Sequence, residues 1–283
     1  MKNKLLKVAI IGNTNVGKST FLNKVLDKNI SIENKKINTT QQILIGVKNI
    51  KNCQLIFYDT PGLNLIRENK LKNYKKIRTE IIETIDFSDV ILFIVDSNKY
   101  NKEYIIKYFE LIRPYRKKIL FAFNKIDLIK KNILLKLIDD LKNFKYINKF
   151  YLISAKKKTG FKSIIDYLFT LSKYGKWTFK KNQITNKSNI FITNEFTRNS
   201  LIKFLHKEIP YNLKVKNKSY KIINNNMIIK QLIIINNKRY KSIILGKKGE
   251  KIKKIRTYSQ FQIEKLFKYK THLYLEIIYK NDK

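Results

Sequence analysis

Residues 12–19 have the types and the spacing of a phosphate-binding loop. The segment fits the pattern G-x-x-x-x-G-K-[ST], with an apolar run before it and a helix-length segment after it. Glycines allow backbone N–H groups to surround a β-phosphate, and the amino end of a helix adds positive potential. We expect Lys18 to reach the β- and γ-phosphates and the Ser19 hydroxyl to bind Mg²⁺. The predicted phosphate-binding residues are Gly12, Asn13, Thr14, Asn15, Val16, Gly17, Lys18, Ser19 and Thr20.

Two further segments have the composition of loops that respond to a γ-phosphate. The first holds Thr39 and Thr40, in a polar stretch before a strand-like run. A threonine there completes Mg²⁺ coordination only when the γ-phosphate is present, and Thr40 is preferred over Thr39. The second ends an apolar run, and its aspartate is expected to hold Mg²⁺ through water while the glycine N–H contacts the γ-phosphate. Its residues are Asp59, Thr60, Pro61, Gly62 and Leu63.

A later pair of segments predicts selectivity for guanine. A carboxylate at Asp127 would accept hydrogen bonds from guanine N1–H and the 2-amino group, which adenine does not offer. Asn124 is expected to tie this segment to the phosphate-binding loop, and the Lys125 stem to cover the base. The Ser154, Ala155 and Lys156 segment is expected to place a backbone N–H against the guanine oxygen. GTP is therefore favoured over ATP.

The residue after Gly62 bears on the rate of hydrolysis. Many GTPases have a glutamine there that orients the attacking water, and the apolar Leu63 cannot do so. We expect intrinsic turnover on the order of 10⁻⁴ to 10⁻² s⁻¹. Asn15 offers a carbonyl oxygen beside the phosphates for a monovalent cation such as K⁺; the alternative is that it only shapes the loop.

The elements that must position these residues follow from the apolar pattern of the first 170 residues. Strand-like runs are predicted at 5–11, 42–50, 54–59, 89–96, 118–124 and 150–154. Helix-length segments lie near 19–26, 70–85, 101–112, 130–143 and 161–173. Alternation of this kind indicates an α/β fold with a doubly wound, mostly parallel sheet, in which ligands bind at the carboxyl ends of the strands.

The pattern changes after about residue 173 and predicts a second domain. We assign 1–173 to a GTP-binding domain, 174–190 to a linker and 191–283 to a smaller α+β domain. In the latter, a helix near 194–208, strands at 213–223 and 227–236, a short helix from about 241, a helix at 250–267 and a strand at 271–280 are predicted. Asn224, Asn225 and Asn226 tolerate the positive φ of a tight hairpin.

The α-β-β-α-α-β order with a Gly-x-x-Gly loop is typical of a KH-type module, which favours single-stranded nucleic acid. The loop allows a phosphodiester backbone to approach closely, and lysines follow it. A lone Gly-x-x-Gly is more often a turn between helices, so the order of elements carries this interpretation. The predicted nucleic-acid-binding residues are Gly246, Lys247, Lys248, Gly249, Lys251, Lys253 and Lys254.

Composition and charge exclude several classes of protein. The 283 residues carry 61 Lys and Arg against 21 Asp and Glu, a formal charge of +40. Residues 171–283 hold 27 basic and 6 acidic side chains, a density that attracts polyanions, although the general abundance of lysine accounts for part of it. One cysteine, Cys53, excludes an internal disulfide and a Cys-based zinc site. A signal peptide and a membrane span are not predicted, so a cytoplasmic location is expected.

Taken together, the motifs resemble the bacterial Era family of GTPases, over nearly the whole chain. Its GTPase domain is of the type shared by TrmE, Era and EngA. The sequences of residues 30–32, 208–211 and 244–255 are also similar to those of the family. It implies a Ras-like GTPase domain and a type II KH domain, binding to the 3′ region of 16S ribosomal RNA, assistance in assembly of the 30S subunit, and peripheral association with the inner membrane. We expect a monomer. Thr14 and Gln41 differ from the Pro and Arg that the family often shows, and the segment after the last strand is short.

Two other functions fit part of the pattern. One is an RNA chaperone with a degenerate nucleotide site. Five intact motif residues argue against it: Lys18, Ser19, Asp59, Asn124 and Asp127. The other is a GTPase of transfer-RNA modification, which would require an extra amino-terminal domain and a cysteine near the carboxyl terminus.

Overall fold

A computed structural model of the chain describes residues 2–28, 30, 43–64, 74–205 and 213–280. Thr39, Thr40 and Gln41 lie outside these residues, as does the predicted helix end at 208–211. The chain divides into two compact units, Met1–Asn186 and Lys187–Lys283. Within the described residues, no helix combines the length and the apolar character needed to cross a membrane.

The first unit is built on a seven-stranded sheet. The strands are β1 (Lys4–Ile11), β2 (Leu44–Ile50), β3 (Cys53–Asp59), β4 (Val90–Asp96), β5 (Lys118–Asn124), β6 (Ile147–Leu152) and β7 (Lys173–Tyr174). Six of them lie in the order β2-β3-β1-β4-β5-β6, and β7 pairs with β1. The pairs β1–β3, β1–β4, β4–β5 and β5–β6 are parallel, whereas β2 and β7 are antiparallel to their neighbours.

Helices cover this sheet, as the uninterrupted apolar strands require. They are α1 (Lys18–Leu26), α2 (Tyr74–Phe87), α3 (Lys102–Ile112), α4 (Lys131–Leu141) and α5 (Phe161–Leu171). Every residue of β3 and β4 is buried. Stacked and edge-on rings of Phe93, Phe121 and Phe123 fill the centre of one core. Strand β1 lies between β3 and β4, so the chain adds strands on one side of β1 and then on the other. At such a point the connections leave in opposite directions, and a crevice forms at the carboxyl ends of these parallel strands.

Part of the segment predicted as a linker is hydrogen-bonded to the first unit. The Trp177 indole N–H donates to the backbone oxygen of Lys4 at 3.1 Å, and the Gln54 side-chain oxygen accepts from the backbone N–H of Phe179 at 3.0 Å. Gly46 and Thr185 form an isolated antiparallel bridge. The domain limits 1–173, 174–190 and 191–283 stay a prediction.

The second unit has the α-β-β-α-α-β order. Its elements are α6 (Asn189–Phe204), β8 (Leu213–Ile223), β9 (Asn226–Ile235), α7 (Arg239–Leu245), α8 (Glu250–Phe267) and β10 (Lys270–Tyr279). The sheet order is β10-β9-β8, with β10 parallel and β8 antiparallel to β9. Asn224 and Asn225 have φ of 45° and 61°, the left-handed conformation expected of the hairpin.

Two element limits predicted from the sequence are wrong. Helix α6 begins at Asn189 rather than near 194, because the Ser188 hydroxyl caps it by accepting from the Phe191 N–H at 3.2 Å. Strand β6 spans Ile147–Leu152 rather than 150–154, because it is an edge strand whose first half carries exposed Asn148 and Lys149. Apolar runs detect buried strands and miss strands of this kind.

Candidate functional site

The loop between β1 and α1 is shaped by glycines that no other residue could replace without a shift of the backbone. Gly12 has φ of 145° and Gly17 has φ of 102°. A Cβ atom at Gly12 would lie 2.1 Å from the carbonyl oxygen of Ile94, and one at Gly17 would lie 2.3 Å from Asn124 Nδ2. The loop is therefore in close contact with β4 and with the end of β5, and only glycine permits this approach.

Lys18 places a buried ammonium inside the curve of this loop. Its Nζ donates to the carbonyl oxygens of Gly12 at 3.0 Å and Asn13 at 2.7 Å, and only 6% of the residue is exposed. Burial lowers the pKa of Lys18 from 10.5 to about 8, although the negative charge of Asp59 acts in the opposite direction. An anion bound in the loop would relieve this cost, so the residue is suited to a phosphate.

Ser19 and Asp59 lie together at the start of α1 and the end of β3. The parallel pairing of Ile10 with Asp59 brings the end of β3 beside the loop. The Ser19 hydroxyl donates to Asp59 Oδ2 at 2.7 Å, and Asp59 is fully buried. Hydroxyl and carboxylate oxygens are hard donors of the kind that Mg²⁺ prefers, so the pair fits this ion. The third predicted ligand, Thr40, lies outside the described residues.

The segment after Asp59 is attached to the phosphate-binding loop. Leu63 N–H donates to the Gly12 carbonyl at 3.1 Å, and the Thr60 hydroxyl donates to the Ile10 carbonyl at 2.8 Å. Pro61 and Gly62 lie between Thr60 and Leu63 in the chain. A Cβ atom at Gly62 would lie only 2.4 Å from Thr14 Cγ2, so the two loops are in direct contact there.

The side chain of Leu63 is fully buried and belongs to the hydrophobic core of the first unit. The position after Gly62 therefore presents no polar group to a nucleotide. The next residue, Asn64, accepts a hydrogen bond from the Thr14 N–H at 2.9 Å through its side-chain oxygen. The sequence did not single out Asn64, because only the contact between the two loops reveals its partner.

Asn124 joins three segments of the site. Its Nδ2 donates to the Val16 carbonyl at 2.6 Å, and its Oδ1 accepts from the Ala155 N–H at 2.8 Å. Lys125 Nζ donates to the Asn15 carbonyl at 2.8 Å and to Asp96 Oδ2 at 2.6 Å. The loop predicted to bind phosphate and the segments predicted to bind guanine are thus held in one arrangement.

Asp96 is a site residue that the sequence analysis missed. It ends β4, is buried, and pairs with Asn124 across the parallel register of β4 and β5. Its carboxylate fixes the Lys125 ammonium. A signal was available, because an aspartate at the carboxyl end of a buried strand beside the strand of Asn124 belongs to the same crevice.

Asp127 and Ser154 form the outer end of the site. The Ser154 hydroxyl donates to Asp127 Oδ1 at 2.6 Å, and this bond holds the pKa of Asp127 below its ordinary value. Asp127 is therefore ionised at neutral pH, with its carboxylate oriented by the serine. Lys156, in the same segment, is exposed.

The Gly-x-x-Gly loop of the second unit joins α7 to α8 and is rich in left-handed backbone. Gly246, Lys248 and Gly249 have φ of 72°, 49° and 77°. A Cβ atom at Gly249 would meet nothing within 4 Å, so the surface beside this glycine is open. The side chains of Lys247, Lys248, Lys253 and Lys254 are exposed, and Lys251 is partly exposed.

Comparisons with known proteins agree with both halves of this description. A family model described as a 50S ribosome-binding GTPase matches residues 7–125, and a KH domain model matches residues 208–283. The GTPase Era of Ehrlichia canis (strain Jake) is 33% identical over 268 residues, which cover 94% of this chain and 90% of that protein. This chain belongs to the Era family of GTPases.

Two solved structures of Era match the fold over both units. One is Era in complex with MgGDPNP and nucleotides 1506–1542 of 16S ribosomal RNA, with a TM-score of 0.88, 29% identity and coverage of 99% of this chain and 95% of that one. The other is a variant of Aquifex aeolicus Era bound to GDP·AlF4⁻, with a TM-score of 0.89, 29% identity and the same coverage. The predicted family, fold class and GTPase activity are confirmed.

The titration of Lys18 predicts how nucleotide affinity in this Era-family chain depends on pH. The pKa of Lys18 is about 8 in the structure, and bound phosphates would raise it because they stabilise the charged ammonium. Affinity for GTP should change little between about pH 7, where the γ-phosphate is mostly ionised, and this pKa, and fall by up to about tenfold per pH unit above it. Fluorescence titration with a labelled guanine nucleotide from about pH 6.5 to pH 9 measures this.

The control is Lys18→Arg, whose guanidinium stays protonated across this range, so its residual binding should not show the titration. Guanine loses its own N1 proton at still higher pH, so an affinity loss that begins near pH 8 and is missing in Lys18→Arg distinguishes Lys18 from the base. Affinity of the unaltered chain that stays constant up to about pH 9 would contradict the assignment.

Proposed function

We propose that this chain is a GTP-hydrolysing switch that binds the 3′ region of 16S ribosomal RNA through its KH unit and assists assembly of the 30S subunit. The observation that carries the proposal is the connection through Asn124, which holds the phosphate-binding loop and the predicted guanine segments together in one site. An Era structure that matches both units of this chain contains a magnesium-bound GTP analogue and a 16S ribosomal RNA fragment, which supports both ligand classes.

Phosphate recognition is assigned to the loop and to the amino end of α1. Lys18 exchanges its two carbonyl contacts for phosphate oxygens, which offsets the cost of its burial. The remaining residues from Gly12 to Thr20 surround the phosphates with backbone N–H groups. Thr60, Pro61 and Gly62 carry the response to the γ-phosphate, because Gly62 lies against Thr14 of the same loop and the Thr60 hydroxyl donates to Ile10 in β1.

Ser19, Asp59 and Thr40 are assigned to Mg²⁺, with Thr39 as the neighbouring residue of the first switch segment. Bound Mg²⁺ would neutralise charge that develops on the phosphate oxygens. The hydrogen bond between Ser19 and Asp59 keeps the two oxygen donors together.

Hydrolysis by this chain alone should be slow, because buried Leu63 cannot orient a water molecule. We assign Asn15 to a K⁺ ion that would supply positive charge beside the phosphates. Asn15 is in the left-handed conformation with φ of 61°, and its carbonyl accepts from Lys125. This contact ties the position of Asn15 to the predicted guanine segment.

Guanine recognition is assigned to the carboxylate of Asp127, with Ser154 as its positioning residue. The lowered pKa of Asp127 keeps the carboxylate ionised, as two hydrogen bonds from guanine require. Asn124 and Lys125 hold the walls of the guanine site in place. Ala155 and Lys156 complete the segment that follows β6.

RNA binding is assigned to the Gly-x-x-Gly loop and the first turns of α8. Open space at Gly249 allows a phosphodiester backbone to approach, and the exposed lysines at 247, 248, 253 and 254, with Lys251, supply charge. We further propose a cytoplasmic monomer with peripheral association at the inner membrane, in line with the resemblance to the family.

A hydrolysis assay tests the proposal as a whole. With Mg²⁺ and Na⁺ we expect turnover on the order of 10⁻⁴ to 10⁻² s⁻¹, rising when K⁺ replaces Na⁺ and when the 3′ region of 16S ribosomal RNA is added. Phosphate release from GTP is the readout. Lys18→Ala should abolish turnover, and Asn15→Ala should remove the K⁺ effect alone. No turnover in any condition would instead favour an RNA chaperone with a degenerate nucleotide site.

Asp127→Asn should change the base that the site prefers. The amide presents a donor that suits the 2-oxo group of xanthine and no longer accepts both guanine hydrogens, so GTP affinity should fall by at least about a hundredfold while XTP binding appears. Competition between the two nucleotides measures the preference. Asp166→Asn, which alters an exposed carboxylate of the same unit, should leave it unchanged. Retained guanine preference in Asp127→Asn would refute the role of Asp127.

Replacement of both loop lysines, Lys247→Asp with Lys248→Asp, should weaken RNA binding by at least about tenfold and reduce its salt dependence. Hydrolysis without RNA should be unchanged. Aspartate tolerates the left-handed backbone at position 248. The matched control is Lys265→Asp with Lys268→Asp, since both lysines are exposed and Lys268 also has a left-handed φ of 62°. Equal losses in the two pairs would show a general charge effect and contradict the assignment to the loop.

A further inference from the structure

The first unit has a second polar cavity, remote from the nucleotide site. It has a volume of about 590 Å³, within the range of small-ligand pockets. Its walls come from the turn after α3, the first residues of β5, and the segment that leads into β6. The Asn148 side-chain oxygen accepts from the Ile119 N–H at 2.7 Å and fixes the two strand ends to each other. The cavity is therefore built on the rigid sheet.

Cationic side chains dominate the walls of this cavity. Among the lining residues that the structure describes, Glu110 is the acidic one. The general abundance of lysine does not account for the set, because two of the chain's seven arginines are in it. The five basic residues are Arg113, Arg116, Lys117, Lys118 and Lys145.

An aromatic ring stands among these charges. Tyr146 lines the cavity and is 41% exposed, and the guanidinium carbon of Arg113 lies 5.4 Å from the centre of its ring. An exposed ring beside a guanidinium offers two flat surfaces on which a base can stack. Arg116, Lys118 and Lys145 are exposed around it and can contact phosphates.

The cavity lies at the amino ends of the strands, whereas the GTP site lies at their carboxyl ends. Lys118 begins β5, and Asn124, at the other end of the same strand, is in the nucleotide site. A seven-residue strand is about 20 Å long, so the two sites cannot share one nucleotide.

We propose that this cavity is a second RNA-binding site, carried by the GTPase unit. A phosphodiester backbone contacts Arg116, Lys118 and Lys145, and an unpaired base stacks on Tyr146. A single-stranded RNA fits better than an acidic protein segment, because the cavity combines charge with a flat aromatic surface of nucleotide size. The inference rests on the proposed function for its class of ligand and goes beyond it in placing RNA outside the KH unit.

Salt-dependent binding of RNA to the full-length chain tests the inference. The probe is a fluorescein-labelled single-stranded RNA with the sequence of the 16S ribosomal RNA 3′ region, measured by anisotropy. The triple variant Arg116→Gln, Lys118→Gln and Lys145→Gln should bind about tenfold more weakly at physiological salt. The slope of log affinity against log salt should become shallower by about 2, as the loss of three phosphate contacts predicts.

The matched control removes three exposed lysines from helices of the same unit by Lys131→Gln, Lys136→Gln and Lys162→Gln. This control should keep the original slope, and both triple variants should keep their affinity for GTP. If the two triple variants behave alike, the inference is overturned. The variant with Lys247→Asp and Lys248→Asp reports separately on the KH unit, so failure of the second site and failure of the proposed function are distinguishable.

Crosslinking provides an independent readout. RNA that contains 4-thiouridine should crosslink to the peptide that contains Tyr146 as well as to peptides of the KH unit. Crosslinks confined to the KH unit, with no change in salt slope for the triple variant, would exclude RNA from the cavity and leave an acidic protein segment as its ligand.

Discussion

The site depends on one electrostatic constraint, the burial of the Lys18 ammonium against two carbonyl oxygens of its own loop. A pKa lowered from 10.5 to about 8 corresponds to about 3 kcal/mol against the charged form at neutral pH. Two carbonyl dipoles and the carboxylate of Asp59 are not enough to cancel this cost. A bound polyphosphate would supply the missing negative charge, so we expect nucleotide binding to stabilise the fold of the first unit. The glycines at 12 and 17 are required because the ammonium must be enclosed this closely.

The order of strands brings the loop of Lys18 next to the segments predicted to bind guanine. Strand β1 lies between β3 and β4, and β5 follows β4, so the loop after β1 is next to residues that end each of these strands. Asp59 comes from β3, Asp96 from β4 and Asn124 from β5. Asn124 then connects the loop to the segment after β6, where Ala155 lies. Displacement of the loop of Lys18 would therefore disturb the segment predicted to bind guanine, because the side-chain amide of Asn124 holds both.

Residues that act within one short segment could be predicted from the sequence, and residues that act across segments could not. The phosphate-binding loop, the buried strand 118–124 and the helix 250–267 are local patterns, and the structure has β5 and α8 at these limits. Asn64 and Asp96 escaped notice because their partners are distant in sequence and are brought near by loop contact and strand register. The basic cavity could not be predicted from the sequence for the same reason, since its lining comes from segments more than 25 residues apart in the chain.

The chain has a formal charge of +40, and the lysines assigned to nucleotide and to RNA differ in how deeply they are buried. Lys18 is almost completely buried, so dissolved ions screen its contact with a phosphate only weakly. The lysines of the Gly-x-x-Gly loop and of the basic cavity are mostly exposed, and their attraction for a polyanion weakens steeply with salt. In the proposed function, nucleotide binding therefore depends on fit within the buried loop, and RNA binding depends on the density of exposed charge. Because the cavity and the GTP site lie at opposite ends of the same strands, RNA bound in the proposed cavity site would not have to dissociate before GTP binds.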